Sequence, residues 1–220
     1  MNRLLIVAAG LLVACGGHTA RYRVDEVALA QLPVEDKTAI FDAQNEVAVA
    51  RAEKDKAEAE AGATKRELAQ AKAERDRAEL VVKRAKIEAQ IADADKNSAR
   101  QAASAEQRRR AELGKKAAEA RIDALDARHG WQKALSGQAD AHIDAAVSRV
   151  ELEKAKLAAA RNIRPSKDFD PNKFASDYDV RTRNLDEARV TSDKKRDKHE
   201  KAAARYDSLK AELDAVPPQS

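Results

Sequence analysis

A seven-residue repeat of small apolar residues follows most of the chain, in alternating steps of three and four residues. Sixteen of its first twenty-two positions are apolar. Between residues 50 and 113, alanine fills ten of nineteen repeat positions but only nine of the forty-five others, so the enrichment follows the repeat. A repeat of this kind predicts a helix that packs in a left-handed coiled coil. The positions are Ile40, Ala43, Val47, Ala50, Lys54, Ala57, Ala61, Thr64, Leu68, Ala71, Arg75, Ala78, Val82, Ala85, Ala89, Ala92, Lys96, Ala99, Ala103, Glu106, Arg110 and Leu113.

The repeat continues in phase to residue 159, and a second apolar stripe appears beside it from residue 122 onward. Two stripes on one helix predict two neighbouring helices. No proline follows Pro33 until the loop described below, so we predict a helix over residues 34–116 that continues over 117–161. Gly130 and Gly137 leave open a turn between two antiparallel helices, whereas the preserved phase favours one continuous helix. The second stripe comprises Ile122, Leu125, Ile143, Val147, Val150 and Leu157.

Residues 162–173, with the sequence NIRPSKDFDPNK, form the clearest predicted loop because two prolines stand among turn-forming Asp and Asn. Residues 174–216 carry a further three-four repeat, which predicts a final helix that packs back along 117–161. Residues 217–220 are predicted to be a disordered tail. The predicted fold class is all-α: an elongated coiled coil with a long N-terminal helix and a C-terminal antiparallel helical hairpin. In this arrangement helix 34–116 has no partner, so we expect it to self-associate or to bind another coiled-coil protein.

Composition agrees with long helices and excludes a nucleic-acid-binding protein. Only 3% of residues are aromatic and 36% are charged, and this balance is typical of coiled coils rather than of a globular core. The formal net charge of +4 comes from 42 basic and 38 acidic residues that are mixed along the chain, whereas a nucleic-acid reader gathers its basic residues on one face. The basic clusters at 108–110 and 194–196 are interpreted as solvated helix surface, with contact to anionic lipid headgroups or wall polymers as the alternative.

No catalytic or metal-binding constellation stands out in the sequence. The histidines His18, His129, His142 and His199 lack paired helical spacing, so no metal site is expected, and His129 and His142 are interpreted as helix surface or the edge of the repeat. The chain has no glycine-rich phosphate loop, and its carboxylates alternate with Lys and Arg as on a solvated face. Trp131 is interpreted as a packing anchor at a bundle end. We therefore predict a protein without cofactor, catalytic residue or enzymatic activity.

The first residues predict export and processing. Residues 1–14 have a basic start at Arg3 followed by an apolar run that is too short to span a bilayer, which needs about 20 apolar residues. This order is typical of a signal peptide. The run ends in Leu-Val-Ala before Cys15, the only cysteine, and this stretch resembles the lipobox of bacterial lipoproteins. The resemblance implies cleavage between Ala14 and Cys15 and acyl chains such as palmitate on the Cys15 thiol, with residues 15–33 as a lipidated tether.

The resemblance also carries an expectation about location and role. Gly16 follows the cysteine in place of Asp, which in enterobacterial lipoproteins permits transport to the outer membrane, facing the periplasm. The alanine-rich repeat loosely resembles the murein lipoprotein, but this chain does not end in the lysine that joins that protein to the cell wall. The expected role is a membrane-anchored spacer, tether or coiled-coil scaffold in the cell envelope, with possible cell-wall contact. The alternatives are a periplasmic holdase chaperone and a coiled-coil regulator of a cell-wall hydrolase or an export complex.

Overall fold

The computed structural model describes residues 18–216, and the predicted signal peptide, Ala14, Cys15 and the predicted tail 217–220 lie outside that part. At 1.5 Å per residue, the three long helices measure about 85, 95 and 67 Å. No strand occurs between residues 18 and 216, so the predicted all-α class is confirmed. The elements are α1 (Glu26–Leu29), a 3₁₀ turn (Glu35–Lys37), α2 (Thr38–Ala94), α3 (Ser98–Ala160) and α4 (Pro171–Ala215).

Helix α3 lies between the other two long helices. It packs against α2 and against α4, while α2 and α4 make at most marginal contact with each other over the described residues. The chain reverses between α2 and α3 and again between α3 and α4, so both pairs are antiparallel. The C-terminal hairpin expected from the sequence is confirmed as α3 and α4, and the two neighbours expected from the two apolar stripes are α2 and α4.

The first long helix is shorter than predicted because the chain turns at residues 95–97. Lys96 has φ 52°, in the left-handed region, and this conformation ends the helical hydrogen bonding of α2. Asn97 then caps α3, because its side-chain oxygen accepts a hydrogen bond of 3.2 Å from the backbone N–H of Arg100. Arg100 also forms an ion pair with Asp95 across the turn. The prediction of one helix over 34–116 is therefore wrong, and residues 98–116 belong to α3.

The unbroken phase of the repeat concealed this turn. On α3 the repeat includes Trp131, Gln138 and Ser148, and each of these contacts α4. Trp131 stacks on His199 at 5.6 Å between ring centroids. Gln138 accepts a hydrogen bond from Ser192, and Ser148 donates one to Asp177. The repeat positions of α2 therefore lie in its interface with α3, whereas these repeat positions of α3 lie in its interface with α4. Two polar positions in the later part of the repeat, Gln138 and Ser148, are hydrogen-bonded across to α4.

Replacing Lys96 with glycine should stabilise the protein. A left-handed backbone costs a residue with a Cβ about 1 kcal/mol or more, so we expect Lys96→Gly to raise the free energy of unfolding by about 0.5–1 kcal/mol in urea titrations followed by circular dichroism. Lys86→Gly is the matched control, because Lys86 is exposed within α2 and glycine there should cost about 1 kcal/mol. Destabilisation by both substitutions would contradict this account of the turn.

The repeat positions on α2 form the surface that packs on α3. Ala43, Ala50 and Ala71 are fully or almost fully buried, although each contributes little apolar area. Ion pairs and one histidine–glutamate contact flank them, and the partners on both helices recur at multiples of seven residues, so they define one antiparallel register. These pairs are Arg149–Glu46, His142–Glu53, Arg128–Glu67 and Arg121–Glu74.

This interface removes the reason for expecting an intermolecular partner along α2. The premise that residues 34–116 lack a partner within the chain is wrong, because α3 covers the alanine-rich surface of α2. The turn at residues 95–97 is enough to place α3 antiparallel to α2. The alanine-rich repeat of α2 would fit a helix of the same chain and a helix of a second chain equally well. Self-association remains a prediction, but the alanine repeat no longer supports it.

The C-terminal half follows the sequence prediction more closely. α3 runs without interruption through Gly130 and Gly137, which resolves the open alternative in favour of a continuous helix. α4 starts at Pro171 rather than at residue 174, because proline suits the first helical position and the Asp170 side chain accepts a hydrogen bond of 3.0 Å from Asn172. Trp131 lies well inside α3 and not at a bundle end.

Candidate functional surface

Residues 18–37, here called the N-terminal segment, pack along α3 instead of forming a free tether. His18 lies beside Asp144, Val24 beside Glu151, and Asp36 beside Arg161 near the end of α3. The segment therefore runs along α3 toward its C-terminal end before α2 begins. The predicted tether over 15–33 is wrong for its described part, because Val24 and Leu29 of the segment are buried in the core.

An alternation of small or apolar and polar residues holds the first part of the segment against the bundle. Ala20 and Val24 are buried and Tyr22 is half-buried, whereas Arg21 and Arg23 are exposed. The chain bends at residues 21 and 22, and the Arg21 guanidinium group lies 5.5 Å from the centroid of the Tyr22 ring, so both arginines stay exposed while Arg21 contacts Tyr22. The same alternation is visible in the sequence, but the sequence does not show what the apolar side packs against.

The core beneath the segment is the larger of the two apolar clusters within residues 18–216. Phe174, the first aromatic residue of α4, lies 5.8 Å from the Tyr22 ring and 6.0 Å from the Phe169 ring, measured between centroids. Val24 and Leu29 from the segment and Ile40, Val150 and Leu152 from α2 and α3 belong to the same cluster. Large side chains are concentrated where four parts of the chain meet, so most of the apolar contact that fixes the segment lies here.

A buried charge also binds the segment to α3. The Lys154 side chain is 8% exposed, and its ammonium group donates hydrogen bonds of 2.8 Å to Glu26 and 2.9 Å to Glu151. The other Glu151 oxygen accepts a hydrogen bond of 2.7 Å from the backbone N–H of Val24. Burial opposes the charge on Lys154, but the two carboxylates outweigh it and raise the pKa of Lys154 above its ordinary value of 10.5.

His18, the first described residue, lies among charged groups from all three long helices. Its ring nitrogens are 3.0 Å from Asp144 and 3.3 Å from Asp140. Lys54 of α2 reaches Asp140 at 2.8 Å, and Arg181 of α4 reaches Asp144 at 3.1 Å. The hydrogen bond to Asp140 raises the pKa of Lys54. The start of the segment is thus held over α3, between α2 and α4.

The remaining histidines do not assemble into a reactive site. His142 contacts Glu53 of α2 at 3.0 Å, His199 stacks on Trp131, and His129 lies half-buried on α3. No group of three or more His, Cys, Asp or Glu residues within 18–216 is placed to hold a metal ion. The groove between α3 and the end of α4 is lined mainly by charged residues, among them Arg109, Glu112 and Glu212.

A second surface of interest lies near the turn between α2 and α3. Leu80, Ile87 and Ile91 are spaced along one side of α2 and are 64%, 56% and 47% exposed. Val82 and Ala85 of the same stretch are buried against Ala111 of α3. The three exposed residues therefore face away from α3 and form a short apolar surface on solvent. The sequence reasoning missed this surface because these residues stand outside the repeat.

Comparison with known proteins adds no relative. No protein-family model matches the chain, and no curated protein or solved structure matches it either. Within residues 18–216, no helix is both long and apolar enough to cross a membrane.

Proposed function

We propose that this protein is a lipid-anchored scaffold of the bacterial cell envelope, attached to the outer membrane through acyl chains on Cys15 and presenting its helices to the periplasm. The lipobox-like stretch before Cys15 supports the anchor. The helical bundle supports a structural role because a rod about 95 Å long offers extended surface for contact with other envelope components. The protein acts without a cofactor.

The observation that carries this proposal is the position of His18. The described chain begins three residues after Cys15, and it is fixed at once by Asp140 and Asp144 on the central helix. A lipid attached at Cys15 would therefore be joined to a rigid body through Gly16 and Gly17 alone. So short a connection keeps the bundle at a nearly fixed distance from the membrane, as a scaffold requires.

The apolar surface near the turn favours a regulator as the second candidate function. Leu80, Ile87 and Ile91 lie at the end of the α2–α3 hairpin farthest from the N-terminal segment, where a partner helix has free access. An apolar stripe of this spacing suits a helix of a partner coiled-coil protein. In this role the anchored rod would hold a wall hydrolase or an export complex at a set place in the envelope. Recovery of one stoichiometric partner that is lost in Ile87→Glu would favour this role.

Replacement of Cys15 by serine tests the anchor. We expect Cys15→Ser to remain unprocessed or to leave the membrane fraction, because serine cannot accept the thioether-linked diacylglyceryl group. Intact-mass measurement and membrane fractionation of cells that express each form provide the readouts. Gly17→Ser is the matched control, since it adds the same hydroxyl two residues away and should leave the acylated mass unchanged. A wild-type mass without acyl chains, or a Cys15→Ser protein that has lost residues 1–14 and still associates with the membrane as the wild type does, would refute the proposal.

A further inference from the structure

We propose that the rod lies along the membrane surface, with the side that carries the N-terminal segment against the lipid headgroups. This inference rests on the proposed acylation of Cys15, and it adds an orientation that the anchor alone does not specify. The surface meant here, called the anchor side, comprises the exposed residues of the N-terminal segment and the exposed residues of α4 on the same side of α3.

The first argument is the reach of the connection. Cys15 and His18 are three residues apart, and an extended chain covers at most about 3.5 Å per residue, so His18 lies within about 10 Å of the lipidated residue. His18 does not lie at an end of the rod. Its partner Asp144 is 17 residues before Arg161, which corresponds to about 25 Å along α3.

An upright rod is incompatible with this reach while the segment stays packed. If the end at Arg161 stood on the membrane, Cys15 would be held about 15 Å or more above the lipid after the full reach of the connection is used. If the turn at residues 95–97 stood on the membrane, the gap would be larger still, because Asp144 is 46 residues after Ser98, or about 70 Å away. Only an orientation along the surface brings Cys15 to the lipid.

The second argument is the charge of the anchor side. Arg21 and Arg23 belong to the segment, and Lys173 of α4 lines a groove together with Arg21. Helical residues at multiples of seven share one side, so Lys194 and Lys201 lie on the side of Lys173. All five residues are exposed. The segment also exposes Asp25, Glu26 and Glu35, and Asp170 and Asp177 line the groove with Arg21 and Lys173, so the basic excess lies on the α4 row, where Glu187 is the acidic exception.

A contact farther along α4 supports the same placement. On α3, residues 123 and 144 are separated by three repeats of seven, so Asp123 lies on the side where Asp144 holds His18. Arg205 reaches Asp123 at 3.9 Å and is therefore on the anchor side, as is the exposed Lys198 seven residues earlier.

The opposite side of α4 carries an acidic row. Arg189 pairs with Asp186, and Arg196 pairs with Asp193 and Glu200, so part of this negative charge is neutralised within the helix. The row recurs at every seventh position, and all six residues are exposed: Asp179, Asp186, Asp193, Glu200, Asp207 and Asp214. Anionic phospholipid headgroups attract the basic side and repel the acidic one. The reach of the connection selects this side of the rod for the membrane, and the lysines of the α4 row with Arg205 add attraction to anionic headgroups there.

The test compares labels on the two sides of α4 at nearly the same height. Lys198 and Glu200 are two residues apart and project to opposite sides of the helix, about 10 Å from each other. Acylated protein with Lys198→Cys or Glu200→Cys carries a fluorophore on the new thiol, since the Cys15 thiol is blocked by lipid. Vesicles of phosphatidylethanolamine and phosphatidylglycerol contain a quencher on their headgroups. We expect several-fold stronger quenching at 198 than at 200, and equal quenching at both would overturn the inference.

A second pair of labels measures the inclination of the rod. Gln90→Cys lies near the turn between α2 and α3, and Lys167→Cys lies in the loop at the other end, so the two sites are separated by most of the length of α3. Energy transfer to a membrane-surface dye should be similar from both sites if the rod lies flat. Strong transfer from one end and none from the other would overturn the orientation.

The outcomes separate this inference from the anchor itself. If intact mass shows no acyl chains and the protein does not float with vesicles, the proposed function fails before any label is read. If the acylated protein floats but its labels indicate an upright rod, the anchor stands and the orientation is wrong.

Discussion

Replacement of Phe174 by alanine is expected to lower the free energy of unfolding by about 3–4 kcal/mol, as for other buried phenylalanines. Phe174 is 6% exposed and lies at the centre of the cluster that joins α4 to the N-terminal segment. The rings of Tyr22 and Phe169 both pack against Phe174, so its removal leaves a cavity and takes an apolar partner from each of them. The substitution should therefore loosen the segment as well as the bundle.

Two measurements distinguish these effects. Urea unfolding followed by circular dichroism gives the change in stability, and limited trypsin digestion reports the segment, because Arg21 and Arg23 become cleavable when it detaches. Phe41→Ala is the matched control: Phe41 is 47% exposed on α2, and its replacement should cost less than about 1 kcal/mol without faster cleavage at the two arginines. Equal destabilisation by the two substitutions would show that the cluster is not the main apolar contact.

Replacement of Lys154 by methionine is expected to cost about 3 kcal/mol, because it leaves the buried Glu151 carboxylate without its cation. Val24 would still donate its hydrogen bond, but a single neutral donor does not offset a buried negative charge. Lys156→Met is the matched control. Lys156 also pairs with a glutamate, Glu153, at 2.7 Å, but its side chain is 57% exposed, so its loss should cost no more than about 1 kcal/mol.

The pH dependence of the same variant provides a sharper readout. The folded-state pKa of Lys154 is raised, so its contribution is fully present below the unfolded-state value near 10.5 and is lost as pH rises through the higher folded-state value. The difference in stability between wild type and Lys154→Met should therefore be constant at neutral pH and shrink above pH 10.5. A difference that stays constant into that alkaline range would contradict a charged, buried Lys154.

Both substitutions bear on the proposed orientation. Phe174 holds the N-terminal segment through apolar contact, and Lys154 holds it through a buried ion pair. A variant that releases the segment gives the lipid at Cys15 about twenty additional residues of chain, so the rod would be free to leave the membrane surface. The orientation of the acylated protein should thus depend on residues that do not touch lipid.

Local patterns in the sequence determined which residues become helical and which sides of the helices are buried. The prolines predicted the loop before α4, and the small side chains predicted the buried positions of α2. Both features could be predicted because they depend on residues that are close together in the sequence. The two stripes on α3 likewise indicated two neighbours. The turn at Lys96 was not predicted, because it contains neither glycine nor proline. Its one strong signal is the helix cap at Asn97, and asparagine also occurs at exposed positions within helices.

Only the tertiary structure decided which helix covers which side. A seven-residue repeat shows that a surface is buried, but an intramolecular antiparallel helix and a second chain satisfy it equally well. The contacts of Val24, Lys154 and Phe174 join residues far apart in the chain, and no local periodicity encodes such pairings. The position of His18 on the side of the rod, from which the orientation at the membrane follows, became visible for the same reason only once the helices were assembled.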